Sequence, residues 1–178
     1  MKKTLSIIII ATISLALLFI SAGCRYEATY TEEGIVDRSE IEVVSGDTAK
    51  AGDISWELID VEDLGTEIQD EAGAVLTPVR GKFVFVSFSV QNSSDEGRTL
   101  YDMKVIDSKG RVYSICTEAY GYFSSNYSAC TLANIPPGGN PLFFSASFDI
   151  NLDSEELVLE VTDLLKPPQQ KAYIDLGI

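Results

Sequence analysis

The 178 residues include no histidine. Ser-His-Asp and Cys-His catalysis need imidazole as the base, so both are excluded, and zinc loses its commonest nitrogen ligand. Cations are scarce too: 13 Lys and Arg stand against 27 Asp and Glu, for a formal charge of −14. So acidic a surface repels nucleic-acid phosphate and anionic headgroups, so no nucleic-acid partner is expected and membrane attachment would need more than a basic patch. A phosphate-binding loop is missing, because Gly138-Gly139 follows Pro136-Pro137 and precedes a strand pattern rather than a helix. No Ser-x-x-Lys spacing opens a helix. The chain is therefore expected to be no enzyme and to carry no cofactor. Apolar residues nowhere recur at helical spacing over a dozen positions, which argues against a helical domain.

What is present begins with an export pattern. Lys2 and Lys3 precede an apolar run from Leu5 to Ile20, and Ser21-Ala22-Gly23-Cys24 closes it with small residues and a thiol. Charge, apolar segment and small-residue site are the three parts of a signal peptide. The ending resembles the bacterial lipobox, Leu-(Ala/Ser)-(Gly/Ala)-Cys, with Ser21 where that pattern has Leu. The resemblance implies cleavage before Cys24 and a diacylglyceryl group on its sulfur, with each buried CH₂ of acyl chain worth about 0.8 kcal/mol of membrane binding. The expected location is the extracytoplasmic face of the cell membrane or outer membrane. The alternatives are an ordinary secretory cut or an uncleaved membrane helix, for which the run falls short of about 20 residues. Cleavage would leave 11 basic and 27 acidic residues, a charge of −16.

Three regions are expected: a signal peptide at 1–23, a lipidated N-terminus and acidic tether at 24–51, and a folded domain at 52–178. The tether is polar apart from Ile41, Val43 and Val44, enough for one weak strand. From Ile54 the residues alternate as in a half-buried strand, with Ile54, Trp56 and Leu58 on one face. Asp60 to Gly81 is acidic and carries Gly65, Gly73 and Pro78, so a long connection is expected. Lys82 to Gln91 is the strongest strand, with Val84, Val86, Phe88 and Val90 on one face and Phe83, Phe85, Ser87 and Ser89 on the other. Leu100 to Ile106 predicts a short strand, Asp107-Ser108-Lys109-Gly110 a hairpin turn and Arg111 to Ile115 the returning strand, and Leu142 to Ile150 alternates again. Seven or eight short strands separated by turn residues predict an all-β fold, an antiparallel immunoglobulin-like β-sandwich.

Trp56, Gly81-Lys82-Phe83-Val84-Phe85-Val86 running to Val90-Gln91-Asn92, Val105-Ile106-Asp107-Ser108-Lys109-Gly110-Arg111-Val112-Tyr113, Ile135-Pro136-Pro137-Gly138-Gly139 and the closing Tyr173-Ile174-Asp175-Leu176-Gly177 together resemble the DUF4352 family. The resemblance spans about Gly52 to Ile178. It implies a telokin-like immunoglobulin fold of secreted bacterial proteins and lipoproteins, and it brings no catalytic residues.

Two cysteines follow the lipobox. Outside the cytoplasm, Cys116 and Cys130 are expected to form a disulfide, which would close a loop of about 15 residues and add roughly 3 kcal/mol. Between them Tyr120, Tyr122, Phe123 and Tyr127 stand among Gly, Ser and Asn, the composition of antibody contact loops. These four are the candidate partner-binding residues; the alternative is that their rings cap the open end of the core. Asp60, Glu62, Asp63, Glu67, Asp70 and Glu71 lack the spacing of a calcium loop, so no metal site is expected. The preferred function is a lipid-anchored interaction module for a protein or peptide partner. The alternative is an envelope spacer without a discrete site.

Overall fold

The computed structural model describes residues 34–122, 128–130 and 132–178. Cys24, Phe123 and Tyr127, and with them the signal and lipidation readings, lie outside the described residues. In chain order the strands are β1 (Val43–Val44), β2 (Thr48–Ala51), β3 (Ile54–Gly65), β4 (Ile68–Gln69), β5 (Val75–Leu76), β6 (Gly81–Asn92), β7 (Arg98–Leu100), β8 (Lys104–Ile106), β9 (Val112–Ser114), β10 (Ser128–Ala129), β11 (Ala133–Ile135), β12 (Leu142–Asn151), β13 (Val158–Thr162) and β14 (Lys171–Asp175). The only helices among the described residues are 3-10 turns at Arg38–Glu40 and Thr117–Gly121, and none is long and apolar enough to cross a membrane.

Two five-stranded sheets form a sandwich, one in the order β10-β12-β6-β3-β2 and the other β1-β14-β13-β8-β9. In the first, β6 runs antiparallel to β12 over ten pairs, from Val90 opposite Leu142 to Gly81 opposite Asn151. Period-2 alternation turns Val84, Val86, Phe88, Val90, Phe144, Ala146, Phe148 and Ile150 inward. There they meet Val105, Tyr113, Leu159, Val161 and Ile174 of the second sheet in one continuous core. Trp56 fills this core with its ring centroid 5.8 Å from that of Phe88, and its indole N–H donates to the Thr162 carbonyl at 3.0 Å. That bond ties the two sheets together while satisfying the one polar atom the indole buries.

The all-β sandwich matches the expectation, but three local readings need correction. The folded unit starts earlier than Gly52: β2 pairs with β3 from Thr48, β1 pairs in parallel with β14, and the Val36 N–H donates to the Gly110 carbonyl at 2.8 Å. The buried residues of β2 are Ala49 and Ala51, whose small side chains give little apolar signal. The stretch from Asp60 to Gly81 is not mainly loop. β3 continues to Gly65, and β4 and β5 form a further hairpin. Register shifts between Leu58 and Asp60 and between Asp63 and Gly65 break the alternation there, so the strand stays paired while its pattern disappears. The expected strand from Leu100 to Ile106 is split, with β7 pairing β11 in a separate ribbon and β8 joining the second sheet.

The outer face of the first sheet is also covered. The β4–β5 hairpin and the Thr117–Gly121 turn bring Ile68, Leu76, Cys116 and Ala119 onto Phe83, with Leu64 and Tyr122 packed against them. Ser87, Ser89, Ser145, Ser147 and Asp149 are buried on the same face. Asp149 takes the N–H groups of Val79 at 2.6 Å and of Arg80 at 3.1 Å, which fixes the entry to β6. Burial pushes its carboxyl above the ordinary range, against the Arg80, Val79 and Gly81 amides that pull it down.

Candidate functional site

After β9 the chain leaves the second sheet and crosses to the edge of the first. Ile115 bridges Phe148, and the Cys116 N–H donates to the Ser147 carbonyl at 2.7 Å. After the 3-10 turn the chain returns to the same edge. β10 runs parallel to β12, with Ser128 opposite Phe144 and Ala129 opposite Ser145, and the Cys130 N–H donates to the Ser145 carbonyl at 2.8 Å. Both ends of the aromatic segment therefore hang from one strand.

This arrangement overturns the expected disulfide between Cys116 and Cys130. Neither cysteine is in one. Cys116 lies beside Ser147 and packs on the outer face with Phe83, whereas Cys130 continues the β10 register to Ala146 and packs in the inner core. Neighbouring positions along a strand point to opposite faces, so the sheet separates the two thiols and their Cβ vectors cannot converge. Compartment and loop length favoured a bond; facing, which neither encodes, forbids it. The Cys130 thiol lies 3.4 Å from the Met103 sulfur. Burial, with the charge of Asp102 adding to it, pushes Cys130 up to about 12, so it remains a thiol at neutral pH.

Of the four aromatic candidates, Tyr120 and Tyr122 are described, and both are half-buried. The Tyr120 hydroxyl reaches the carbonyls of Ser145 at 3.3 Å and Cys130 at 3.4 Å, latching the turn to the sheet edge. Burial, aided by Cys130, raises its pKa, so the hydroxyl stays protonated. Tyr122 rests on the outer apolar cluster. These two rings cap packed surface.

Beside the latch lies a recess of about 470 Å³, lined by Tyr101, Asp102, Ser114, Ile115, Thr117, Cys130 and Leu132. Its wall is largely apolar, with Asp102 and Thr117 exposed at the rim. Leu132 is 75% exposed and has φ +44, an uncommon conformation for a branched side chain. Tyr101 separates this recess from a second, lined by Gly97, Arg98, Thr99, Leu164, Leu165 and Lys166. The Tyr101 hydroxyl donates to the Leu165 carbonyl at 2.5 Å, and the Lys166 ammonium lies 3.9 Å from its ring centroid. Such a surface can seat an apolar side chain and offer polar contacts around it. Tyr101 and Leu132 were missed from sequence because they lie about 30 positions apart in the chain and only the fold brings them together.

The acidic residues at 60–71 serve the backbone. Asp60 accepts from the Val61 amide, Asp63 from Gly65 and from the Lys82 ammonium, and Asp70 from Ala74. Among the described residues no group of three or more His, Cys, Asp or Glu is placed to hold a metal ion.

No protein-family model and no curated protein matches the chain. Solved structures do. The yjhA protein from Bacillus subtilis superposes with a TM-score of 0.53 at 12% identity, covering 76% of this chain and 98% of that one. A functionally unknown protein from Listeria monocytogenes EGD-e gives a TM-score of 0.49 at 10% identity, over 83% of this chain and 85% of its own. An uncharacterized β-sandwich protein from Clostridium difficile 630 gives 0.44 at 13% identity, over 84% of this chain and 100% of its own. The last two superpositions are too loose to argue from. What the chain shares with the Bacillus subtilis protein is its fold.

Proposed function

We propose that the chain is a bacterial lipoprotein held through Cys24 at an extracytoplasmic membrane face, and that its sandwich is a non-catalytic module binding a protein or peptide partner. The recess between Tyr101 and Leu132 carries the binding part of this reading. It combines an apolar wall, polar rim residues and the exposed Leu132 just before β11, an arrangement that can anchor a partner's apolar side chain. The spacer alternative calls for no such recess. The absence of histidine and the protonated Cys130 thiol support a module without chemistry. The export pattern and the DUF4352-like strand and turn motifs support the envelope location.

Capture of envelope proteins by wild type, by Leu132→Asp and by a Phe123→Ser variant tests the binding reading. Loss of a specific partner with Leu132→Asp in a folded domain is expected. Equal capture by all three removes the recess as the contact surface. Mass spectrometry of the N-terminal peptide from the membrane fraction tests the anchor, and an unmodified Cys24 or a retained Met1 overturns it.

A further inference from the structure

The end of the sandwich from which the N-terminal segment leaves differs from the rest of the surface. Ile35 bridges Arg111 at the start of the hairpin strand, next to the 107–110 turn. The Arg111 guanidinium bonds Asp153 at 2.8 Å, and the Lys109 ammonium also pairs with Asp153. Leu152, one residue earlier, crosses Gly81 so closely that a Cβ there would lie 2.6 Å from the Leu152 nitrogen. Two residues before Gly81 is Val79, held by Asp149. One continuous end of the molecule thus carries Ile35, Val79 and Leu152, exposed at 79%, 53% and 65%.

Isolated exposed aliphatics are ordinary. These three share one end, and cations gather round them. Of the 11 Lys and Arg remaining after residue 23, Arg38, Arg80, Lys82, Lys109 and Arg111 are at this end, where Lys82 pairs with Asp63, Lys109 with Asp153, and Arg111 with Asp107 and Asp153. Lys and Arg stems can lie along an apolar boundary while their charges stay wet.

We propose that this end is a membrane-contact surface, in which Ile35, Val79 and Leu152 enter the headgroup boundary of the bilayer that holds the lipid on Cys24. The inference rests on the anchoring reading above. Chain length decides the occupant. Residue 34 minus residue 24 leaves ten residues, which span at most about 35 Å fully extended, so this end is kept near the bilayer whatever path the segment takes. Tethering replaces a bimolecular encounter by a high local concentration, so a surface too weak to bind free lipid can still be occupied. The contact also sets orientation: β12 runs from its start at Leu142, on the far side, to Asn151 at this end, a rise of about 33 Å over ten residues. The Tyr101–Leu132 recess then lies partway up the side of the domain, since Ile115 and Cys130 of its lining sit beside Phe148 and Ser145 within β12.

The test uses the full lipidated chain in vesicles of phosphatidylethanolamine and phosphatidylglycerol. An environment-sensitive fluorophore is placed through Leu152→Cys or, at the opposite end, Asn140→Cys; Cys116 and Cys130 are buried and do not compete for label. The Leu152→Cys label is expected to shift to the blue and to be quenched severalfold more by brominated lipid than the Asn140→Cys label. Adding Ile35→Asp and Val79→Asp is expected to abolish that difference. Equal quenching at both positions, with acyl chains confirmed on Cys24 by mass, overturns the contact surface and leaves the anchor standing. A Cys24 without lipid overturns both.

Discussion

The two faces of the sheet formed by β12, β6 and β3 are both buried, yet they are built from different residues. The inner face is Val, Phe, Ala and Ile, and it meets another face of the same kind. The outer face of β6 and β12 carries Ser87, Ser89, Ser145, Ser147 and Asp149 alongside Phe83 and Phe85. What covers it is a turn and a hairpin with backbone groups to offer. The Ser147 hydroxyl donates to the Cys116 carbonyl at 2.8 Å, and Asp149 accepts the amides that lead into β6. Apolar faces are stabilised by area removed from water; polar faces tolerate burial when each hydrogen bond given up to solvent is remade. Alternation of residue type thus reports chemistry on each face, not contact with water.

Measurements on single variants sharpen or break this contrast. The largest effect is expected from Phe148→Ala on the inner face, a loss of about 3–5 kcal/mol by chemical denaturation, because the cavity opens in a closed core. Asp149→Ala on the outer face should cost about 2–3 kcal/mol by leaving buried amides without an acceptor, and Ser147→Ala only about 1 kcal/mol. A Ser147→Ala loss as large as that of Phe148→Ala would show that the outer cover, not the core, dominates stability.

Acid titration separates two buried carboxylates. Burial works to raise the Asp107 carboxyl, but the Arg111 amide and guanidinium, Ser154 and Tyr113 outweigh it and hold the group below its ordinary 3.8. Its contribution is present above 3.8 and lost as pH falls through the folded value, so the advantage of wild type over Asp107→Asn should shrink in acid. Asp149 is raised, so its contribution is present below the ordinary value and lost as pH rises through the folded value. The advantage of wild type over Asp149→Asn should therefore shrink in the opposite direction. Denaturation midpoints across the acid range check both signs, and parallel curves would refute the assignment. The smallest effect belongs to Leu132→Ser, expected to change stability by no more than about 0.5 kcal/mol while weakening partner capture.

The parts of the fold readable from sequence are those in which one strand satisfies one pattern. β6 and β12 announce themselves because their inner positions are all apolar over eight or more residues, and the 107–110 turn does so because Gly110 must take φ +76 where the Val36 carbonyl passes close by. The second half of β3 was illegible because its register shifts move side chains off the period. β2 was illegible because alanine buries without looking apolar. The cysteine pair misled for a related reason: spacing along the chain says nothing about which side of a sheet a residue faces. Tyr120 was legible as a notable residue but not as a latch, since its acceptors are carbonyls that any sequence would supply. The recess was not legible at all, because Tyr101, Thr117 and Leu132 come from three segments that meet only after the chain changes sheets.

One feature of that sheet change reaches further. Residues 116 and 130 grip successive carbonyls of a single strand, Ser147 and Ser145, so the intervening stretch begins and ends on the same rail. An excursion whose two feet share a rail can vary in length without altering how any long strand registers with its neighbours. A foreign peptide grafted between the two feet would inherit a fixed base, provided that Ala119, Tyr120 and Tyr122 are kept, because they pack on the sheet and cover its outer face.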